Sequence, residues 1–180
     1  MIIKAEKGAT LTEVIITVAL LMIIMAPISL IFVTAYSSYI EENDKAAAQQ
    51  GAREILYGNS INFHGILGEL ERSGAASKDV LIDDVTEDID ATGSRIIIKN
   101  TDSGEEKRFV FVPGEDGKIT NGAGVSYNEP SIIVDGFVVE KLKRNALNDG
   151  DRLKITVVVH CGNSESVSYT STYRFPNIEK

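Results

Sequence analysis

Glu13 is the residue whose type and position most need a chemical explanation. This carboxylate directly precedes 23 residues, Val14 to Tyr36, that include no Asp, Glu, Lys or Arg. An ionised carboxylate at membrane depth costs about 2.5 to 3.5 kcal/mol, and such residues normally have a partner and a function. We therefore predict that Glu13 pairs with a positive charge rather than lying harmlessly at the membrane surface.

The other chemically competent side chains do not form a catalytic pattern. His64 and His160 are far apart in the sequence and lack a metal-ligand spacing, so we interpret them as ordinary helix and strand positions. The acidic stretch 83–90 lacks the spacing and central glycine of a calcium loop, and we interpret it as a solvated loop. The sequence thus predicts no catalytic residue, no metal site and no cofactor.

Residues 14–36 are long enough to cross a membrane as one helix. At 1.5 Å per residue they extend roughly 34 Å, and the run is longer than the apolar core of a cleaved secretory signal, which is about 7 to 15 residues. Lys4 and Lys7 precede the run, and the acid-rich stretch 41–44 follows it. By the positive-inside rule, the amino terminus faces the cytoplasm and the remaining chain lies outside.

Residues 8–16, Gly-Ala-Thr-Leu-Thr-Glu-Val-Ile-Ile, resemble the amino-terminal signature of type IV prepilins and pseudopilins. The shared features are a short basic leader that ends in glycine, a carboxylate five residues beyond that glycine, and a hydrophobic helix. The resemblance implies a leader of residues 1–8 and a cut between Gly8 and Ala9 by a membrane prepilin peptidase. It also implies N-methylation of the new amine on Ala9.

The same resemblance implies how Glu13 is used. The amine on Ala9 is poorly aligned with Glu13 of its own chain, but it would meet Glu13 of the incoming subunit and set the axial register of a helical filament. Ala9 stands where the family most often has phenylalanine, and Thr12 replaces a usual aliphatic residue. Pro27 lies about one turn earlier than the proline that bends these helices in the family, and we predict a helix kink there.

A member of this family is a structural subunit of a type IV pilus or pseudopilus. Its implied partners are prepilin peptidase, other pilin subunits, assembly platform proteins and the membrane, which it crosses once before it enters a filament at the cell surface. Residues 67–75 resemble a segment of W-type minor pilins and J-type pseudopilins, which favours a minor subunit at the tip or in priming. Pilus, secretion pseudopilus and DNA-uptake filament all stay open.

The fold is predicted to be α+β and type IV pilin-like. Helical periodicity continues beyond the membrane segment, which predicts one helix over 9–57 whose second half packs on an antiparallel sheet. Residues 58–180 then form the extracytoplasmic domain, with a second short helix from Ile61 to about Arg72. Gly136 is a predicted bulge, and 83–93 and 114–130 are predicted loops. The predicted strands are Arg95–Lys99, Lys107–Val112, Ile132–Leu142, Arg152–His160 and Glu165–Phe175.

Two other classes of protein stay open. One is a signal-anchored domain that binds a ligand or surface polymer without forming a filament, and the other is an enzyme ectodomain. The formal net charge of −8 disfavours DNA binding, and the basic stretch 141–144 is predicted to be a solvated strand end. Cys161 is the one cysteine, so the chain has no internal disulfide, and we predict an inert thiol in a hairpin turn.

Overall fold

The computed structural model describes residues 10–59, 64–82, 92–100, 103–142 and 151–175. These residues form helices and antiparallel sheets, which confirms the α+β class. The chain divides into two compact units after Glu41, and the boundary falls within the first helix. The elements are α1 Leu11–Tyr57, α2 Ile66–Ser73, a 3-10 turn Ser77–Asp79, β1 Val80–Ile82, β2 Thr92–Gly93, β3 Arg95–Lys99, β4 Glu106–Val112, β5 Lys118–Thr120, β6 Ile132–Leu142, β7 Arg152–Cys161 and β8 Val167–Arg174.

Helix α1 ends at Tyr57, where the sequence predicted its end. Gly58 follows with φ of 90°, and its amide donates a 2.7 Å hydrogen bond to the carbonyl oxygen of Glu54. A left-handed glycine is a common way to end a helix because it has no Cβ to clash. The predicted continuation of the helix beyond the membrane segment is therefore confirmed.

The last third of α1 packs on the sheet that contains β6 and β8. Gly51 lies so close to β6 that a Cβ at this position would be 2.7 Å from Cγ1 of Ile132. The Tyr57 hydroxyl is 3.0 Å from Oγ of Ser171 on β8. Small residues therefore let the helix approach the sheet, and the predicted packing of the helix on an antiparallel sheet is confirmed. The buried positions of α1 are Ala48, Gly51, Ala52, Ile55 and Leu56.

Helix α2 begins later than the sequence predicted. His64 and Gly65 are not helical, and the helix starts at Ile66, while residues 60–63 lie outside the described part. The reason is the position of Gly65 against the end of α1, where a Cβ would lie 2.5 Å from the amide nitrogen of Tyr57. Ile66, Leu67 and Leu70 are all buried and form the apolar side of this helix.

Gly65→Ala is expected to destabilise the domain by about 2 to 4 kcal/mol, because backbone atoms of α1 would have to move to admit the methyl group. Gly104→Ala is the matched control, since Gly104 has φ of 71° but nothing within 4 Å of its Cβ position. That variant carries only the left-handed backbone cost of about 1 to 2 kcal/mol. Urea unfolding of the full chain in uncharged detergent measures the free energy of unfolding of both variants. An equal decrease in the two variants would contradict the close packing of Gly65 against α1.

The strands form two four-stranded sheets rather than the single sheet that the sequence predicted. The first has the order β1-β3-β4-β5, and the second has the order β2-β6-β7-β8, with antiparallel pairing throughout. The predicted strands Arg95–Lys99 and Lys107–Val112 are confirmed as β3 and β4, which pair with each other, with Glu106 added to β4. The predicted loop over 114–130 is wrong at Lys118–Thr120, which form β5. The predicted loop over 83–93 is wrong at Thr92–Gly93, which form β2, and its residues 83–91 lie outside the described part.

The second sheet follows the prediction more closely. Strand β6 has the predicted bounds, β7 extends one residue further to Cys161, and β8 is shorter than predicted at both ends. On β8, Tyr169 and Tyr173 are half-buried while Thr170 and Thr172 are exposed, so one face packs and the other is solvated. Side chains from both sheets and both helices share one hydrophobic core, which includes Leu56, Leu70, Phe109, Val139 and Leu153.

Candidate functional site

Glu13 lies in the first turn of α1 and is bonded to Thr10. Its Oε2 accepts hydrogen bonds from the Thr10 amide at 2.9 Å and from the Thr10 hydroxyl at 3.0 Å. The Glu13 amide in turn donates to Oγ1 of Thr10 at 3.4 Å. This reciprocal pair is a capping box, which satisfies backbone donors that a helix start leaves without partners.

The capping role of Thr10 was missed in the sequence, although its signal was present. Thr10 and Glu13 have the Thr-x-x-Glu spacing that marks a capping box before an apolar helix. Both hydrogen bonds reach the same carboxylate oxygen, and no described residue donates to Oε1 of Glu13. The cap therefore orients the carboxylate and leaves one oxygen available to a further donor.

Gly8 and Ala9, the predicted cleavage and methylation positions, lie outside the described residues. The cut and the methylation therefore stay predictions. Thr10 is the first described residue, and it is the second residue of the chain that the predicted cut would leave. The cut would thus place a charged amine one residue before the capping box.

The amino-terminal part of α1 presents an apolar surface to its surroundings. Every side chain from Thr10 to Asn43 is exposed, with Leu11 at 79% and Phe32 at 72%. Among the described residues, α1 is the one helix long and apolar enough to cross a membrane. A surface of this kind is stable in lipid or against other apolar helices, and not in water.

The polar side chains of this apolar segment bond to their own helix. The hydroxyl of Thr17 donates to the Glu13 carbonyl at 2.8 Å, that of Ser29 to the Met25 carbonyl at 2.9 Å, and that of Thr34 to the Leu30 carbonyl at 2.7 Å. Such bonds remove the need for an external partner in lipid. The three hydroxyls are therefore compatible with a membrane span.

Helix α1 continues through Pro27 without a break in its secondary structure. Proline has no amide hydrogen, so the carbonyl of Ile23 loses the donor that would normally bond it four residues later. The backbone hydrogen bonding of α1 is thus weakest at this turn. The predicted kink at Pro27 stays a prediction.

Comparison with protein-family models, with curated protein sequences and with solved structures gives no match for this chain. The resemblance to prepilins therefore rests on the residues themselves, above all on the spacing of Gly8 and Glu13 before the apolar segment.

A second polar cluster lies at the bulge of β6 and joins Asp135, His160 and Ser166. The register shift between Val134 and Gly136 leaves Asp135 as the extra residue, so the bulge predicted at Gly136 is confirmed. Asp135 Oδ2 accepts from the Ser166 hydroxyl at 2.6 Å and lies 2.8 Å from Nδ1 of His160. The interpretation of His160 as an ordinary strand position missed this pairing.

The cluster does not have the geometry of a nucleophilic triad. The Ser166 hydroxyl donates to the carboxylate and not to the imidazole, so the histidine is not placed to take its proton. Among the described residues, no group of three or more His, Cys, Asp or Glu side chains could hold a metal ion, and the acidic stretch 83–90 lies outside them. The predicted absence of catalysis, metal and cofactor stays a prediction.

The Asp135 cluster predicts a dependence of stability on pH. Burial raises the pKa of this carboxyl, but the hydrogen bonds from Ser166 and His160 outweigh burial and hold it below the ordinary 3.8. A depressed folded-state pKa stabilises the fold above the unfolded-state value and loses that effect as pH falls through the folded-state value. Asp135→Asn is expected to lower the free energy of unfolding by about 1 kcal/mol at neutral pH. It should also reduce the further decrease of that free energy when the pH falls below about 4.

The measurement is urea unfolding of the full chain between pH 2 and pH 7 in uncharged detergent. Glu140→Gln is the matched control, because it removes a carboxylate from the same strand and leaves the Asp135 cluster intact. An unchanged acid dependence in Asp135→Asn would contradict the assignment of the stabilisation to this cluster.

Lys141 and Cys161 differ in part from their predictions. Lys141 is not solvated: it is only 7% exposed, and its Nζ donates to the Ser77 carbonyl. Burial lowers the pKa of this amine, while Asp151 and Asp79 oppose that effect. Residues 143–144 lie outside the described part.

Cys161 ends β7 rather than lying in the turn. Burial raises the pKa of its thiol, which favours the less reactive protonated form.

Proposed function

We propose that this chain is a structural subunit of a type IV pilus or a related pseudopilus. The observation that carries the proposal is the spacing of Gly8 and Glu13 directly before an exposed apolar helix. Before assembly, residues 14–36 hold the chain in the cytoplasmic membrane as a single-pass protein with a cytoplasmic amino terminus. Residues 58–180 then form the extracytoplasmic domain.

Assembly begins with the removal of residues 1–8 by prepilin peptidase. The cut leaves an ammonium group on Ala9, which is methylated without losing its charge. In a filament, this amine bonds to Oε1 of Glu13 in the neighbouring subunit, while Oε2 keeps its bonds to Thr10. Each charge is then neutralised by the other as the helix leaves lipid headgroups and water for an apolar surrounding.

The apolar side chains of α1 serve two successive environments. They contact lipid before assembly and the same helix of other pilin subunits afterwards, so little apolar surface has to enter water during the transfer. Pro27 weakens the helix near the middle of the span, which allows it to bend as it is extracted. Separate assembly proteins supply the force and the ATP.

We assign the chain to the minor subunits, at the tip of a filament or in its priming. The support is the resemblance of residues 67–75 to W-type minor pilins and J-type pseudopilins. A loop-rich exposed domain also suits a tip position, because a subunit at the tip is not constrained by neighbours on all sides. The mature domain would then present a binding surface at the end of the filament.

Co-expression with prepilin peptidase tests the proposal. The expected product begins at Ala9, and the matched control is the same peptidase with its catalytic aspartates replaced, which should leave residues 1–8 attached. Amino-terminal sequencing of the purified chain identifies the first residue. A chain that keeps its leader with the active peptidase would instead be a signal-anchored domain that binds a ligand or surface polymer.

A further inference from the structure

The outer face of the first sheet is basic, although the chain as a whole is acidic. The strand register places Arg95, Lys99, Arg108 and Lys118 on the face opposite to Phe109 and the core. Among the described residues of these strands, Glu106 is the one acid on that face. Among these described side chains, four cations less one carboxylate leave an excess of three positive charges, against a net charge of −8 for the whole chain.

A cavity of about 200 Å³ opens on this basic face. It is lined by Arg95, Ile97, Arg108, Val110 and Gly122. Arg95 lies opposite Val110 and Ile97 lies opposite Arg108, so each guanidinium side chain has an apolar neighbour on the adjacent strand. Ile97 is only 4% exposed and forms an apolar floor, beside which charges are less screened than in open water.

Arg108 is partly engaged on the side of the cavity that faces Glu106. One oxygen of Glu106 bonds to Nη2 of Arg108 at 3.1 Å, and the other lies 3.3 Å from Nζ of Lys99. These two bonds hold the pKa of Glu106 below its ordinary value, so one ionised carboxylate is shared between two cations. The Arg108 side chain is still 54% exposed.

We propose that this cavity binds an oxyanion, either a phosphate or a carboxylate group, between the guanidinium groups of Arg95 and Arg108. A guanidinium presents its donors in a planar fork that matches two oxygens of such a group. The volume suits a single small group, and the positive charges of Arg95 and Arg108 disfavour a cation. The site lies in the exposed domain and is independent of the filament contacts of α1, so it stands whether or not the chain is a pilin.

Nuclear magnetic resonance of the arginine Nε–H groups tests this site directly in the full chain, held in uncharged detergent. Sodium phosphate is titrated against sodium chloride of equal ionic strength, with acetate and soluble polyphosphate as separate arms. We expect saturable shifts of Arg95 and Arg108 with phosphate or acetate and none with chloride. Tighter binding of polyphosphate than of phosphate would identify a polymer as the source of the group.

Three variants define the outcome. Arg95→Gln with Arg108→Gln should weaken binding at least tenfold, while Lys154→Gln on the other sheet should leave it unchanged. Glu106→Gln should tighten binding a few-fold, because it removes the carboxylate that competes for Arg108. If the double variant fails to fold, Arg108→Lys replaces it, since lysine keeps the positive charge but lacks the planar pair of guanidinium donors. Shifts that do not saturate, or equal affinity in the arginine variants, would overturn the proposal.

Discussion

Glu13→Gln is expected to leave removal of residues 1–8 intact and to lower incorporation of the chain into filaments at least tenfold. Glutamine retains a side-chain oxygen that can accept the two hydrogen bonds from Thr10, so the helix cap survives. It removes the negative charge that the amine of Ala9 needs in an apolar surrounding. Leaving one partner of a buried pair without its counter-charge costs about 3 to 5 kcal/mol, and 1.4 kcal/mol already corresponds to a tenfold change.

Thr10→Ala is the matched control for this substitution. It removes the hydroxyl that bonds to Glu13 and retains the carboxylate. The helix should therefore lose about 1 kcal/mol of capping free energy, while incorporation of the chain into filaments should change little. Quantitative immunoblotting of sheared filaments against membranes measures both variants, and Glu13→Ala should behave like Glu13→Gln. If Thr10→Ala were as defective as Glu13→Gln, the role of Glu13 would be capping and not charge pairing.

Gly8→Val is expected to abolish cleavage and, with it, incorporation into filaments. A branched side chain at the predicted cut would obstruct the close approach of the peptidase to the backbone, which glycine allows. The uncut chain would keep Lys4 and Lys7 on the cytoplasmic side of the membrane. Drawing each ammonium group through the bilayer costs about 2.5 to 3.5 kcal/mol, and no amine would exist on Ala9 to pair with Glu13.

Thr12→Val is the control for Gly8→Val. It adds a branched side chain close to the same cut but restores the aliphatic type that is usual in the family at that position. Cleavage and incorporation should both be normal, as measured by amino-terminal sequencing and by filament shearing. Cleavage of Gly8→Val at the wild-type rate would show that Gly8 does not define the cut.

The long elements of the fold could be predicted from the sequence because their patterns extend over many residues. Helix α1 keeps an apolar run and then a helical period until Gly58, and β6 alternates on both sides of its bulge. The strands β1, β2 and β5 have only two or three residues each, which is too short for any period to appear. Their pairing is decided by partners elsewhere in the chain, so the division of the strands into two sheets was missed.

The start of α2 and the Asp135 cluster depend on contacts that no local pattern contains. Gly65 cannot admit a Cβ because the end of α1 lies against it, although the sequence around it favours a helix. Asp135 and His160 are 25 residues apart and meet only because the bulge changes the register of β6 on β7. The capping of Glu13 by Thr10, in contrast, is local, and its spacing is visible in the sequence.

We propose that this chain is cut after Gly8 and enters a filament through α1. The most direct test is the intact mass of the chain recovered from sheared and purified surface filaments of cells that express it. We predict a chain without residues 1–8, whose first residue is Ala9 with one added methyl group. Recovery of the chain only from membranes, with its leader attached, would contradict the account.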